Sequence, residues 1–496
     1  MGPHSGANIA VGKVGKSPMA AVKDFTGLAS DSREVKPGYL FAALPGTKAN
    51  GAEYVKDAVR RGAVAVLGRP EVAPNATTLG VRFIADENPR KALARIAAQF
   101  FAIQPETVAA VTGTNGKTSV TVFLREIWTA LGKRAASMGT IGVLTPTGET
   151  KLNHTTPGPI ELHRILAELK RDGIDGLAVE ASSHGLDQYR LDGVDIAAVG
   201  FTNITRDHMD YHPTFEAYLA CKLRLFTELA RDGAAAVVNA DTEHAEDFIV
   251  AARARSLRLL TVGEKGENLK LLSRTPLGDG QSLKIAVDGG TYAVTLPLAG
   301  AFQASNALVA AGFAIGLGEK PDAVFVALAG LKGAPGRLEK VAYAKSGAPV
   351  YVDYAHTPDA LENVLSALRP HTKGNLVVVF GCGGDRDKGK RPLMGAMAAK
   401  FADRVIVTDD NPRSEEAAAI RKEALAGCPG AWEIGDRAEA IRAAIAALGE
   451  GDVLIVAGKG HESGQIVGSI VHPFSDRDEA IKAALALGGR PGERQA

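Results

Sequence analysis

Short apolar runs recur along the chain, separated by polar turns and by alanine-rich stretches with helical spacing. Before residue 107 the runs Tyr39–Leu44, Ala63–Leu67 and Val81–Ala85 predict strands, and Ala92–Phe101 predicts a closing helix. Val108–Val111 begins a second series, followed by Gly176–Ala181, Ile196–Phe201 and Ala234–Asn239 as buried strands. Leu271–Leu298 reads as β-rich, and Ser305–Ile315 as a helix. From Pro349 the runs Val350–Asp353, Leu376–Phe380, Arg404–Thr408 and Asp452–Ala457 alternate with amphipathic helices. This rhythm predicts an α/β protein with mostly parallel sheets covered on both faces. Turn-rich Gly330–Pro335 and Ser346–Pro349 mark a boundary, and a chain of 496 residues predicts three domains, at 1–107, 108–342 and 343–496.

Composition narrows the function classes. Hydrophobic residues at 46% and charged residues at 23% describe an ordinary globular core. A net charge of +1 gives no electrostatic footprint for nucleic acid or an anionic membrane. Cys221, Cys382 and Cys428 lie too far apart for a disulfide framework or a thiolate metal cluster, and are expected as reduced core thiols. No apolar run approaches the ~18 residues of a membrane span. Lys13 and Lys16 are not followed by a signal-peptide apolar region, and no hydroxyl at position 6 supports myristoylation, so the expected location is cytoplasmic.

The candidate chemistry starts at Ala109–Ser119, AAVTGTNGKTS. A strand, the turn Gly113-Thr114-Asn115-Gly116, and a helix opening on Lys117-Thr118-Ser119 make a phosphate cradle. Backbone N–H groups and the helix dipole face the anion, Lys117 neutralises a terminal phosphate, and the Thr118 hydroxyl suits Mg²⁺. Val111 replaces the glycine of the usual spacing, so the loop is a shortened variant. These features predict a nucleoside triphosphate site. Glu180 and His208 follow strands whose carboxyl ends share that edge, where they would reach phosphate-bound metal. Lys222, in YLACKLRLF, reads from its own helix as a solvated lysine; only a carbamate would make it a cation ligand. Three charged loops, Gly381–Arg391, Asp409–Arg413 and Gly458–Glu462, follow neighbouring strands and predict one site for a zwitterion.

These motifs, together with EASSHGLDQYR, NITRDHMD, GRLE and DYAHTPDAL, resemble the Mur ligase family, ATP-dependent amide-forming enzymes of peptidoglycan synthesis, over nearly the whole chain. The resemblance implies an N-terminal α/β uridine-nucleotide-binding domain, a central P-loop ATPase and a C-terminal Rossmann-like domain. It implies addition of meso-2,6-diaminopimelate to UDP-N-acetylmuramoyl-L-alanyl-D-glutamate through an acyl phosphate, with ATP and Mg²⁺. Ser30, Asp31, Ser32, Arg33, Thr47, Lys48 and Ala49 match positions near the uridine diphosphate. His154, which stands where some relatives have Asn, matches the sugar-peptide positions with Thr155, Thr156, Ser182, Gln188 and Arg190. Asn306, Arg337, Asp353 and His356 match nucleotide positions. Arg386, Asp410, Asn411, Pro412, Arg413, Gly458 and Glu462 match diaminopimelate positions. Lys117, Glu180, His208 and Lys222 are implied as catalytic, with Lys222 a carbamate and Thr118, Glu180, His208 and Lys222 the metal set. Three other readings stay open: a lysine-adding ligase, a folylpolyglutamate-type synthetase, and a non-catalytic ATP-binding regulatory module. The oligomeric state is unassigned.

Overall fold

The computed structural model describes residues 24–46 and 50–492. The chain divides into two compact units. The first comprises the N-terminal part up to Gln104 with Pro157–Asp172 and Asp187–Val194. Its four strands, Gly27–Ala29, Tyr39–Ala42, Ala65–Gly68 and Arg82–Ala85, are parallel and neighbour one another in chain order. Side chains alternate across this sheet, so Leu40 joins Leu67, Leu93 and Ile96 on one face while Phe41 joins Val55 and Val66 on the other. The helix Pro89–Phe101 starts three residues earlier than its apolar spacing predicts. Asn88 caps it by accepting from the Lys91 N–H at 3.1 Å, and Pro89 occupies a first-turn position that needs no donor. Helix Pro159–Arg171 packs against it.

The second unit holds Pro105–Thr156, Gly173–Leu186 and the chain from Asp195 onward. Its eleven-stranded sheet is parallel through the middle, where Arg258–Gly263, Ala230–Asn239, Ile196–Phe201, Thr107–Thr112, Gly176–Glu180 and Ala135–Gly139 lie side by side. The β-rich segment resolves into Leu269–Pro276, Gln281–Val287 and Gly290–Leu296, antiparallel to one another and joined to one end of the sheet by a parallel pairing of Leu269–Pro276 with Arg258–Gly263. Gly142–Thr145 and Gly148–Thr150 extend the other end, also antiparallel. Helices Lys117–Ala130 and Ala301–Gly316 pack together over the sheet, burying Phe123, Trp128, Leu308 and Phe313.

A seven-stranded sheet completes this unit. Arg404–Val407, Leu376–Phe380, Val453–Ala457 and Pro349–Asp353 are adjacent and parallel, with apolar layers on both faces. Three of the charged loops therefore leave neighbouring strands at one sheet edge, as the sequence pattern predicts. Cys382 and Cys428 are buried and Cys221 half-buried, all three as free thiols.

Candidate active site

Strand Thr107–Thr112 ends between Ile196–Phe201 and Gly176–Glu180, and the turn after it feeds helix Lys117–Ala130. Gly113 and Gly116 hold φ angles of 151° and 87°. A side chain at Gly113 would overlap the Thr202 hydroxyl, and one at Gly116 would overlap the Asn306 amide oxygen. Torsion and close approach both require glycine there. Asn203 holds the turn from below: its carbonyl accepts from the Thr114 N–H at 2.8 Å, and its side-chain oxygen accepts from the Asn115 N–H at 3.0 Å.

Lys117 Nζ donates to the carbonyls of Gly113 and Thr114 at 2.9 and 2.8 Å. Lys222 Nζ donates to the same Gly113 carbonyl at 2.7 Å and lies 4.4 Å from the centre of the Tyr218 ring. The expectation of a solvated Lys222 is overturned, since the residue is 1% exposed. Helix Phe215–Arg224 turns it inward one turn beyond Tyr218, against the phosphate loop. Burial, and then the Lys117 charge, hold the Lys222 amine well below its ordinary pKa. Burial also lowers Lys117, against the opposing pull of Glu180 and Asp207.

Glu180, 1% exposed, ends its strand beside Thr140. Its Oε1 accepts from the Thr140 N–H at 2.8 Å and its Oε2 from the Thr140 hydroxyl at 3.1 Å. The Thr155 hydroxyl meets that of Thr140 at 3.1 Å, while Thr156 donates to the Glu180 carbonyl at 2.8 Å and meets the Ser182 hydroxyl at 2.9 Å. His208, at φ 54°, stacks edge-on with His184 at 5.0 Å and is half exposed beside Asp207. Asn306 is buried behind the loop. Asp353 accepts from the N–H groups of Leu338 and Ala355 at 2.6 and 2.8 Å, and burial raises its pKa against the Arg337 charge. Arg337 sits 4.8 Å from the Tyr354 ring centre, and His356 donates from Nδ1 to the Tyr354 carbonyl at 2.8 Å. Burial lowers the His356 pKa.

The charged loops of the seven-stranded sheet interlock. Asn411 Nδ2 donates to Glu462 Oε2 at 3.1 Å, and Lys459 Nζ donates to Asn411 Oδ1 at 3.0 Å. Arg413, at φ 51°, donates to the Gly384 carbonyl at 2.8 Å. A cavity of about 450 Å³ is lined on one side by Thr140, Ile141 and Lys151, and on the other by Asn411, Arg413, His461 and Glu462. Arg386, Asp410, Pro412 and Gly458 do not line it; Arg386 is exposed and donates to the Asp385 carbonyl at 3.0 Å.

Comparison with known proteins decides the family. Three family models match: the Mur ligase family, catalytic domain, at residues 24–101; the Mur ligase middle domain at 111–314; and the Mur ligase, glutamate ligase domain, at 336–460. The chain belongs to the Mur ligase family. It is 57% identical to the UDP-N-acetylmuramoyl-L-alanyl-D-glutamate–2,6-diaminopimelate ligase of Bradyrhizobium diazoefficiens, covering 95% of this chain and 96% of the relative. The ligase of the same name from Caulobacter vibrioides is 54% identical over 94% of this chain and 96% of its own length. A solved structure of a ligase of that name aligns with a TM-score of 0.71 at 34% identity, covering 94% of this chain and 95% of that one.

In this Mur ligase, the remaining candidates fall in both units. Ser30 is exposed, Ser32 is buried and bonded to Asp57, and Arg33 grips Asp31 with two nitrogens. Arg190 donates to Gln188 at 2.8 Å within the first unit. His154 is exposed, and Thr47, Lys48 and Ala49 lie outside the described residues. Sequence reasoning missed Thr140 and Lys459. Thr140 follows a glycine at a short strand end, a weak signal; Lys459 sits between two glycines after a buried strand, which is a usable one.

Among the described residues, no three His, Cys, Asp or Glu side chains are arranged to hold a metal ion. The oxygen donors of Thr118 and buried Glu180 fit a hard divalent cation, whereas a lysine ammonium does not. A carbamate on Lys222 would supply the missing oxygens.

Proposed function

We propose that this Mur ligase uses ATP to join meso-2,6-diaminopimelate to the D-glutamate γ-carboxylate of UDP-N-acetylmuramoyl-L-alanyl-D-glutamate. The observation that carries this reading is the shared cavity. Thr140, which holds Glu180 beside the phosphate loop, lines the same space as Asn411, Arg413 and Glu462. The residue that holds Glu180 and the loops assigned to the amino acid thus border one volume. The sequence identity of 57% to a ligase of that name gives independent support.

A carboxylate is a poor electrophile, so ATP first converts it to an acyl phosphate and ADP. The amine then attacks the acyl carbon, and phosphate leaves as the amide forms. Lys117 and the N-terminus of its helix neutralise charge on the transferring group, and catalysis is largely positioning. Thr155, Thr156 and Ser182 crowd Glu180 and orient the acceptor peptide; Gln188, Arg190, Ser32 and the Thr47–Ala49 segment bind the rest of the nucleotide-sugar. Asn306, Arg337, Asp353 and His356 hold the ATP. Thr118, Glu180, His208 and carbamylated Lys222 would hold Mg²⁺, which when bound screens the repulsion between the γ-phosphate and the acceptor carboxylate. Lys222 is prepared for carbamylation because burial and the Lys117 charge disfavour its ammonium form: the neutral amine adds to CO₂, loses one proton, and keeps one N–H for the Gly113 carbonyl. Arg386, Arg413 and Asn411 take the carboxylates of diaminopimelate, and Glu462 and Asp410 its ammonium.

We set the domain limits at 1–107, 108–342 and 343–496, and assign the reaction to the cytoplasm. No helix among the described residues is long and apolar enough to cross a membrane. Phosphate release is the test. A ligase releases phosphate from ATP only when nucleotide-dipeptide and diaminopimelate are both present. Release with ATP alone, at an equal rate, would refute the reading.

A further inference from the structure

Lys459 is a lysine with no exposed surface at the heart of the charged loops. Its ammonium lies 3.0 Å from Asn411 Oδ1, 3.2 Å from Glu462 Oε2 and 3.8 Å from Asp410. The Ile466 backbone N–H reaches the same Asn411 atom at 2.9 Å. An ammonium and a backbone N–H can only donate, so that atom must be the amide oxygen. Across the amide, Nδ2 meets Glu462 Oε2, a pure acceptor, at 3.1 Å. Two donors on one side and one acceptor on the other leave the amide a single orientation.

We propose that Lys459 is a positioning residue for amino-acid selection, fixing the Asn411 amide and the Glu462 carboxylate so that the cavity presents a donor beside an acceptor. This rests on the proposed addition of diaminopimelate. Both Asn411 and Glu462 line the cavity, whereas Lys459 does not. With Oδ1 occupied twice, Nδ2 is the amide atom left for a ligand, and it can only donate. With Oε2 occupied by Nδ2 and Lys459, Oε1 is the oxygen left to accept. The far end of diaminopimelate carries a carboxylate and an ammonium, which match that pair; lysine carries the ammonium alone. If the amide reversed, its oxygen would face the ligand carboxylate and repel it. Lys459 also adds its charge to that of buried Arg437 beside the carboxylates of buried Asp410 and half-buried Glu462.

The experiment compares the unmodified enzyme with Lys459→Met, Asn411→Ala, the double variant, and Asn411→Asp. For each, kcat and KM are measured for diaminopimelate, lysine and ATP. Lys459→Met is expected to raise the KM for diaminopimelate and lower its preference over lysine, in kcat/KM, by roughly 10-fold or more. The KM for ATP stays within about twofold. In the Asn411→Ala background the same change lowers the preference by less, because part of the action of Lys459 runs through that amide. An unchanged preference in Lys459→Met, or an equal loss with and without Asn411, overturns the inference. Should Lys459→Met not fold, Asn411→Asp decides: it keeps the partner of Lys459 and turns the outward donor into an oxygen. Loss of preference supports the inference and retention overturns it. Failure of the unmodified enzyme to add diaminopimelate refutes the functional reading, and this inference with it.

Discussion

The side-chain nitrogens of Lys117 and Lys222 converge on one acceptor, the Gly113 carbonyl oxygen, at 2.9 and 2.7 Å. Two nitrogens sharing an oxygen this way lie within about 6 Å of each other. Two full charges at that distance repel by about 3 kcal/mol at an effective dielectric of 20. The more buried environment therefore favours a neutral Lys222, the form that reacts with CO₂. Lys222→Ala is expected to be nearly inactive, and acetate to restore part of its turnover. Isotopically labelled bicarbonate should give a carbamate signal in the unmodified protein that is lost in the variant. Full activity of Lys222→Ala under CO₂-free conditions would contradict this.

In the proposed mechanism Lys117→Ala removes the cation that neutralises the terminal phosphates. Turnover is expected to fall by ~10²-fold or more, the scale of other lost transition-state donors, while circular dichroism stays unchanged. Gly116→Ala tests the same loop through the backbone. The left-handed torsion costs a residue with a Cβ about 1–2 kcal/mol, and the added carbon meets Asn306. The KM for ATP should rise, with the KM for diaminopimelate little altered.

Arg413→Ala should depress kcat/KM for diaminopimelate sharply and leave the already low value for lysine little changed. Its guanidinium borders the cavity, where a carboxylate gives it a two-pronged partner and lysine leaves it without one. Sites built on such groups reject the analogue lacking the partner by roughly 10⁴-fold. Equal losses for both amino acids would remove the residue from selection.

A buried histidine gives the first unit a pH dependence. His163 Nε2 donates to the Asp192 carbonyl at 3.2 Å, and burial lowers its pKa to about 4. Between that value and the ordinary ~6.5 the unfolded chain binds the extra proton, so stability is full above 6.5 and falls as the pH drops toward 4. The loss amounts to about 3 kcal/mol at most. Urea midpoints at pH 7 and pH 5 should differ less for His163→Gln, which keeps a donor without the titration.

The phosphate loop was legible because a buried strand, paired glycines and Gly-Lys-Thr agree locally. The strand series 349–457 was legible because parallel strands buried on both faces read as unbroken apolar runs. Gly142–Thr150 was not, since its short strands are half exposed and rich in glycine. The burial of Lys222 was equally hidden. Helical spacing does not say which face meets another loop, and that loop lies over a hundred residues away. Arg386 shows the converse: a correctly placed motif whose charge stays at the surface.

The most direct measurement is mass spectrometry of the product formed from ATP, UDP-N-acetylmuramoyl-L-alanyl-D-glutamate and a panel of diamino acids. The account predicts one dominant product, the nucleotide-dipeptide joined to diaminopimelate with loss of water, formed with equal amounts of ADP and phosphate. Efficient formation of a lysine adduct, or ATP consumption with no amide product, would contradict it.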